Sequence, residues 1–170
     1  INTVLDIAKI EAGRMDVVNT HFQVEPLIEM CAMTSQPLLR PGVRLVSEIE
    51  PGLPPIVSDQ DKLKQILLNL LSNAVKFTDE GAIIVRARRE DDLLVIEVTD
   101  TGIGMNEEAL NHVFEEFKQA DATTTRRYGG TGLGLSISKH LAGLLGGGLT
   151  AESEEGVGTT FTVVIPFDSE

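Results

Sequence analysis

Between residues 59 and 77 the apolar residues fall at Leu63, Ile66, Leu67, Leu70, Leu71 and Ala74. Steps of three and four put all six on one stripe of a helix, with polar residues on the remaining surface. Asp59 or Ser58 supplies the oxygen that a helix start needs. Upstream, the pattern predicts a short strand over 21–24 and a helix from Pro26 to about residue 39, ended by Pro41-Gly42. Proline is tolerated in a first turn. Residues 43–49 alternate apolar and polar as a half-buried strand does, 51–55 (PGLPP) form a loop, and 56–57 add a brief strand. Two strands follow over 82–88 and 93–99, joined by the polar turn Glu90-Asp91-Asp92. From 105 to 131 only a short helix near 107–112 is predicted, and a loop this long is uncommon without a function. Helix returns over 132–145, three glycines (146–148) end it, and 149–152 with 159–166 close the chain as a hairpin. At the other end Ile1, Val4, Leu5, Ala8 and Ala12 make a helical stripe over 1–14, which Gly13 is placed to end. That stripe is expected to pack on another helix.

Strands and helices mix without regular βα alternation, which predicts an α+β fold with a mixed sheet and helices on one face. The 170 residues suffice for one domain with a real core, and 42% are apolar. The net charge, 14 − 26 = −12, argues against a nucleic-acid-binding face. The single cysteine, Cys31, cannot form an internal disulfide, which points to a reducing, cytoplasmic compartment; its apolar surroundings mark it as a packing residue. No apolar run reaches the ~18–20 residues of a membrane span, and no signal-peptide pattern opens the chain. A start in mid-helix at Ile1, without Met, suggests a fragment of something longer.

Chemistry concentrates in three places. Asn69 and Asn73 lie one turn apart on the face of the 59–77 helix, with Lys76 following. Two glycine clusters come later, DTGIG (100–104) and GGTGLG (129–134). Amide oxygens suit a hard metal, a lysine suits polyphosphate, and glycines let backbone N–H groups approach an anion. With so acidic a chain, the cations for a phosphate site must be local: Lys76, Lys118, Arg126 and Arg127. The dinucleotide fingerprint fails, because Leu135 and Glu107 occupy the positions of its third glycine. The P-loop fails as well, because Leu135 replaces its lysine. One cysteine and three scattered histidines make no zinc site.

Taken in order, these segments resemble the catalytic and ATP-binding domain of a sensor histidine kinase, in the superfamily shared with DNA gyrase, the heat-shock chaperone ATPases and MutL. DQDKLKQILLNLLSNAVKFT (59–78) is similar to the asparagine box, DTGIG (100–104) to the first glycine box and FEEF (114–117) to the phenylalanine box. RRYGGTGLGLSIS (126–138) is similar to the second glycine box and GVGTTFTVVIP (156–166) to the closing strand. The likeness covers about residues 20–167, and LDIAKIEAG (5–13) resembles the end of the second helix of the dimerisation and phosphoacceptor hairpin. It implies a Bergerat-type two-layer sandwich: a mixed, mostly antiparallel sheet, about three helices on one face, and an ATP lid at about 105–131. Residues 1–16 would belong to the hairpin and 17–170 to the catalytic domain.

The resemblance also implies roles. Asp100 would accept from the adenine amine, with Gly102 and Gly104 letting backbone lie against base and ribose. Asn73 would bind Mg²⁺, with Asn69 beside it, and Lys76 would meet the phosphates. Gly130, Thr131, Gly132, Leu133 and Gly134 would bring backbone N–H groups to the triphosphate of ATP at a helix start. Thr160, adjacent to Thr159, resembles the closing-strand threonine near adenine. Phe114 and Phe117 would anchor the lid to the phosphoacceptor helix or simply pack in the core. Arg126 and Arg127 would neutralise γ-phosphate charge or stay solvated.

Residue 69 separates kinase from hydrolase. The gyrase-like ATPases carry Glu there as a general base for water, whereas an asparagine cannot take a proton, and a lost base costs ~10²–10⁴-fold. Transfer to a nucleophile other than water is expected. The phosphoacceptor His is absent, since His21, His112 and His140 are followed by Phe22, Val113 and Leu141 rather than an acid. The partners implied are the phosphoacceptor hairpin with its dimer mate and a response-regulator receiver domain, with no nucleic acid and no membrane contact. An anti-sigma-type serine kinase and a scaffold without transfer activity are the alternatives.

Overall fold

The structure, a computed structural model, describes residues 16–115 and 133–168. The predicted helix over 1–14 lies outside them, as do Phe117, Lys118, Arg126, Arg127, Gly130, Thr131 and Gly132. The elements run β1 (Thr20–Phe22), α1 (Val24–Ser35), a 3₁₀ turn (Gln36–Leu38), β2 (Val43–Ile49), β3 (Ile56–Ser58), α2 (Gln60–Phe77), β4 (Gly81–Glu90), β5 (Leu93–Asp100), α3 (Glu107–Asn111), α4 (Leu133–Leu144), β6 (Gly148–Glu154) and β7 (Gly158–Pro166).

Asp59 caps α2: its Oδ1 accepts from the Lys62 backbone N–H at 3.1 Å. The six stripe residues of α2 are all buried. Helix α1 is shifted from its expected span. It starts two residues before Pro26, whose missing N–H is of no consequence in a first turn, and it stops at Ser35 because Pro37 cannot continue an α-helix. Gln36 to Leu38 tighten into the 3₁₀ turn instead.

The main sheet has the order β2-β4-β5-β7-β6. β2 runs parallel to β4, and the other neighbours are antiparallel. The turn between β4 and β5 places Asp91 at φ 55°, a left-handed conformation that aspartate tolerates. Alternation divides the sheet into two faces. Ile83, Val85, Leu94, Ile96, Val98, Phe161, Val163 and Ile165 meet α1, α2 and α4 in one core, where Cys31 is also buried. Burial pushes the Cys31 thiol up to about 11, so it is an inert packing group. The opposite face carries ion pairs, Arg86 to Glu48 at 2.7 Å and Arg88 to Glu97 at 3.2 Å. The α+β class, the mixed sheet and the one-sided helical layer are as the sequence predicts.

One feature of the topology has no local signature. β1 and β3 form a separate two-stranded antiparallel sheet, with Phe22 opposite Ile56. The N–H of Val57 also bonds to the Phe167 carbonyl at 2.8 Å, which ties this small sheet to the end of β7.

Candidate functional site

Helix α2 is the platform. Asn69, Asn73 and Lys76 are half-buried along it, while its core stripe is fixed against the sheet. Its last residue, Phe77, accepts from the Ile103 N–H at 3.1 Å, so the loop that follows β5 is fastened to the helix end beside Lys76. Arg40 supports the same end: it pairs with Asp79 and donates to the Lys76 carbonyl at 3.5 Å.

Asp100, the last residue of β5, is 3% exposed. Its Oδ1 accepts from the Gly102 N–H at 2.9 Å. Burial raises its pKa above the ordinary carboxylate range, opposed by backbone hydrogen bonds from Gly102 and Thr159; among the described residues no cation helps to offset the burial. Gly102 has no room for a side chain, because a Cβ there would lie 2.0 Å from the Phe77 carbonyl oxygen and 3.0 Å from Asp100 Oδ1. Gly104 is confined in the same way. Its φ is +70°, and a Cβ would lie 2.1 Å from the Glu154 carbonyl oxygen. The loop is closed on its far side by Gly156 N–H to the Ile103 carbonyl at 2.7 Å and Met105 N–H to Ser153 Oγ at 2.7 Å.

The closing strand brings a different threonine to Asp100 than the one the resemblance pointed to. Thr159 pairs with Asp100 across the β5–β7 ladder and is buried on the core side, where its hydroxyl lies 2.8 Å from Ser153 Oγ. Thr160 pairs with Thr99, and their hydroxyls are 3.0 Å apart on the opposite face. Neighbouring side chains on a strand point to opposite faces, so Thr160 is not grouped with Asp100.

At the other end of the site, Asn69 reaches α4. Its Nδ2 donates to the Gly134 carbonyl at 3.2 Å and to Ser138 Oγ at 3.0 Å. The Ser138 hydroxyl donates in turn to the Gly134 carbonyl at 2.8 Å. A Cβ on Gly134 would be 3.7 Å from Asn69 Cγ, an ordinary contact, so this neighbour does not by itself demand glycine. Leu133 contributes the first residue of α4. Phe114 is a packing residue: its ring meets Phe161 edge-on at 6.1 Å, under the ammonium of Lys139 at 4.8 Å. Among the described residues, no three His, Cys, Asp or Glu side chains gather as a metal site. The oxygen donors suited to a hard divalent cation are the amides of Asn69 and Asn73.

Thus α2, the 100–104 loop and the start of α4, far apart in sequence, are joined through Phe77 and Asn69. Ser138, Ser153 and Arg40 were not identified from sequence, and Thr159 entered only as the neighbour of Thr160. Only Ser138 leaves a local signal, as a polar residue in line with the buried Ile137 and Leu141 of α4 and Leu145 just after it. Among the described residues no helix is long and apolar enough to cross a membrane.

Residues 58–169 match the family described as "Histidine kinase-, DNA gyrase B-, and HSP90-like ATPase". The chain is 44% identical over 173 residues to hybrid signal transduction histidine kinase B of Dictyostelium discoideum, an overlap of 98% of this chain and 9% of that protein. It is 41% identical over 174 residues to the autoinducer 2 sensor kinase/phosphatase LuxQ of Vibrio parahaemolyticus, covering 98% of this chain and 20% of that one. In three dimensions it is similar to full-length ShkA in complex with AMPPNP, with a TM-score of 0.87 at 33% identity, over 98% of this chain and 35% of that one. The chain therefore spans a minor part of each of these three relatives.

Proposed function

The chain belongs to the family of histidine kinase-, DNA gyrase B- and HSP90-like ATPases, as the ATP-binding catalytic domain of a sensor histidine kinase, and from that premise we propose how its residues divide the work. Asp100 receives the hydrogen bond of the adenine amine, with Thr159 rather than Thr160 beside it. Gly102 and Gly104 keep the loop flat against the base and ribose. Asn73 and the Asn69 amide oxygen face Mg²⁺, and Lys76 faces the phosphates. Backbone N–H groups at the start of α4, from Leu133 and Gly134, face the same anion, with Gly130, Thr131 and Gly132 preceding them. Mg²⁺, when bound, neutralises polyphosphate charge and keeps several of its own waters.

The observation that carries this reading is the pair of links on α2, Phe77 to Ile103 at one end and Asn69 to Gly134 at the other. They bring a buried carboxylate, two amides and a helix start to one helix. Asn69 also decides the chemistry. A neutral amide is too weak a base to take a proton from water, so the γ-phosphoryl is reserved for an imidazole. That imidazole belongs to the phosphoacceptor hairpin and its dimer mate, with onward transfer to a receiver-domain aspartate of a response regulator.

Two measurements on the chain test the reading. Calorimetric titration is expected to show Mg·ATP binding, weakened in Asn73→Asp. Incubation with γ-labelled ATP is expected to leave no stable acid-labile label on the chain alone, and label on a His-bearing hairpin added in trans. Absence of heat with Mg·ATP refutes the site; label on serine in an added substrate favours the serine kinase instead.

A further inference from the structure

Ser138 is 0% exposed, yet it is polar and occupies the second turn of an otherwise apolar helix face. Within a helix a serine hydroxyl bonded to the carbonyl four residues back adds little stability and slightly disfavours the helix. The side chain is therefore unexplained by α4 alone. Its partner across the helix interface accounts for it. Asn69 Nδ2 donates towards both Ser138 Oγ at 3.0 Å and the Gly134 carbonyl at 3.2 Å. Ser138 commits its own proton to that same carbonyl at 2.8 Å.

This closed triangle admits one amide orientation. The Gly134 carbonyl can only accept, so a flipped Asn69 would set two acceptors against each other. With its nitrogen directed at these two acceptors, the polar atom Asn69 turns away from them is Oδ1. We propose that Ser138 is a positioning residue that holds the Asn69 amide with its oxygen, and not its nitrogen, available to the metal. The inference rests on the Mg·ATP site proposed above. Ser138 touches neither nucleotide nor metal in this account and acts through Asn69.

The test is a titration of the full chain with ATP, with Mg²⁺ present and with Mg²⁺ removed by EDTA. Ser138→Ala removes one of the two acceptors that orient Asn69 Nδ2, and the Mg²⁺-dependent part of the affinity is expected to fall about threefold to tenfold while metal-free ATP binding is unchanged. Ser138→Cys, which keeps the volume but offers a poor acceptor, falls with it, and Ser138→Thr, which keeps the hydroxyl, retains the wild-type metal dependence. If the added methyl of threonine prevents folding, the cycle of Asn69→Ala with Ser138→Ala decides: the double variant is expected to be no weaker than Asn69→Ala alone. Equal losses with and without Mg²⁺, or a Ser138→Ala loss that adds in full to that of Asn69→Ala, overturn the proposal. Wild-type chain that binds no Mg·ATP removes the site itself. Wild-type chain that binds, with Ser138 variants indistinguishable from it, removes only the role of Ser138.

Discussion

Two aspartates almost equally hidden from solvent, Asp59 at 4% exposure and Asp100 at 3%, have opposite electrostatics. Asp59 heads α2. Burial pushes its pKa up, but the Val18 N–H, the Lys62 N–H, the Lys62 ammonium hydrogen bond and the Lys62 charge together bring it below the ordinary value. The geometry is complete, with Val18 N–H to Oδ2 at 2.9 Å, the Lys62 N–H to Oδ1 at 3.1 Å and the ammonium at 3.0 Å. Asp100 ends β5 with backbone donors alone, and burial wins. Surface exposure alone therefore does not separate a structural acid from one proposed to bind a ligand: Asp100 lies deeper among protein atoms than Asp59 and, among the described residues, lacks the neighbouring cation that Asp59 has. Asp59 is saturated and holds the segment before β1 on the start of α2. Asp100 is left short of partners where a ligand donor would complete it, and its charge is carried at a cost to the fold.

The sharpest way to break this contrast is Asp100→Asn. A hydrogen bond to a charged acceptor contributes ~1.5–3 kcal/mol, so ATP affinity is expected to fall about tenfold to a hundredfold, while the melting temperature at pH 7 holds or rises because a buried charge is gone. A variant that binds as before but melts earlier would make Asp100 structural. Asp59→Ala should do the reverse. Loss of a helix cap together with its tie to Val18 is expected to destabilise the chain by ~1–2 kcal/mol in urea unfolding, with ATP affinity of the folded protein changed less than about twofold. A large affinity loss without loss of stability would contradict the division.

Acidification separates the two more gently. The raised pKa of Asp100 favours its neutral form in the folded state. Its contribution to stability is therefore full below the unfolded value of about 3.9 and is lost as pH rises through the folded one. Asp59 has the opposite sign: its contribution is present above about 3.9 and is lost as pH falls through its depressed folded pKa. Lowering the pH from 7 should weaken ATP binding before it unfolds the chain, because Asp100 takes up its proton while the Asp59 clamp is still ionised. Titrating wild type beside Asp100→Asn isolates this limb; parallel pH profiles for the two would exclude Asp100 as the titrating group.

Periodicity along the chain determined much of this protein. The six-residue stripe of α2 and the alternation that makes β2, β4, β5 and β7 are written in the spacing of near neighbours. The order of the asparagine and glycine segments also identified the family. Where that reading slipped, at the end of α1, the cause was local too: Pro37 stops the helix before Pro41-Gly42 is reached.

Only the tertiary structure could decide which threonine accompanies Asp100, because Thr159 and Thr160 are interchangeable until the β5–β7 register assigns each a face. The same holds for Ser138, which meets Asn69 across 69 positions of sequence, and for Asp59, whose bond to Val18 spans 41. Pairing of β1 with β3 likewise has no trace in either segment read alone. Helix stripes and strand alternation arise from backbone geometry that each residue shares with its close neighbours. Register, amide orientation and the donors surrounding a buried acid arise from which distant surfaces meet, and that is set only when the core closes.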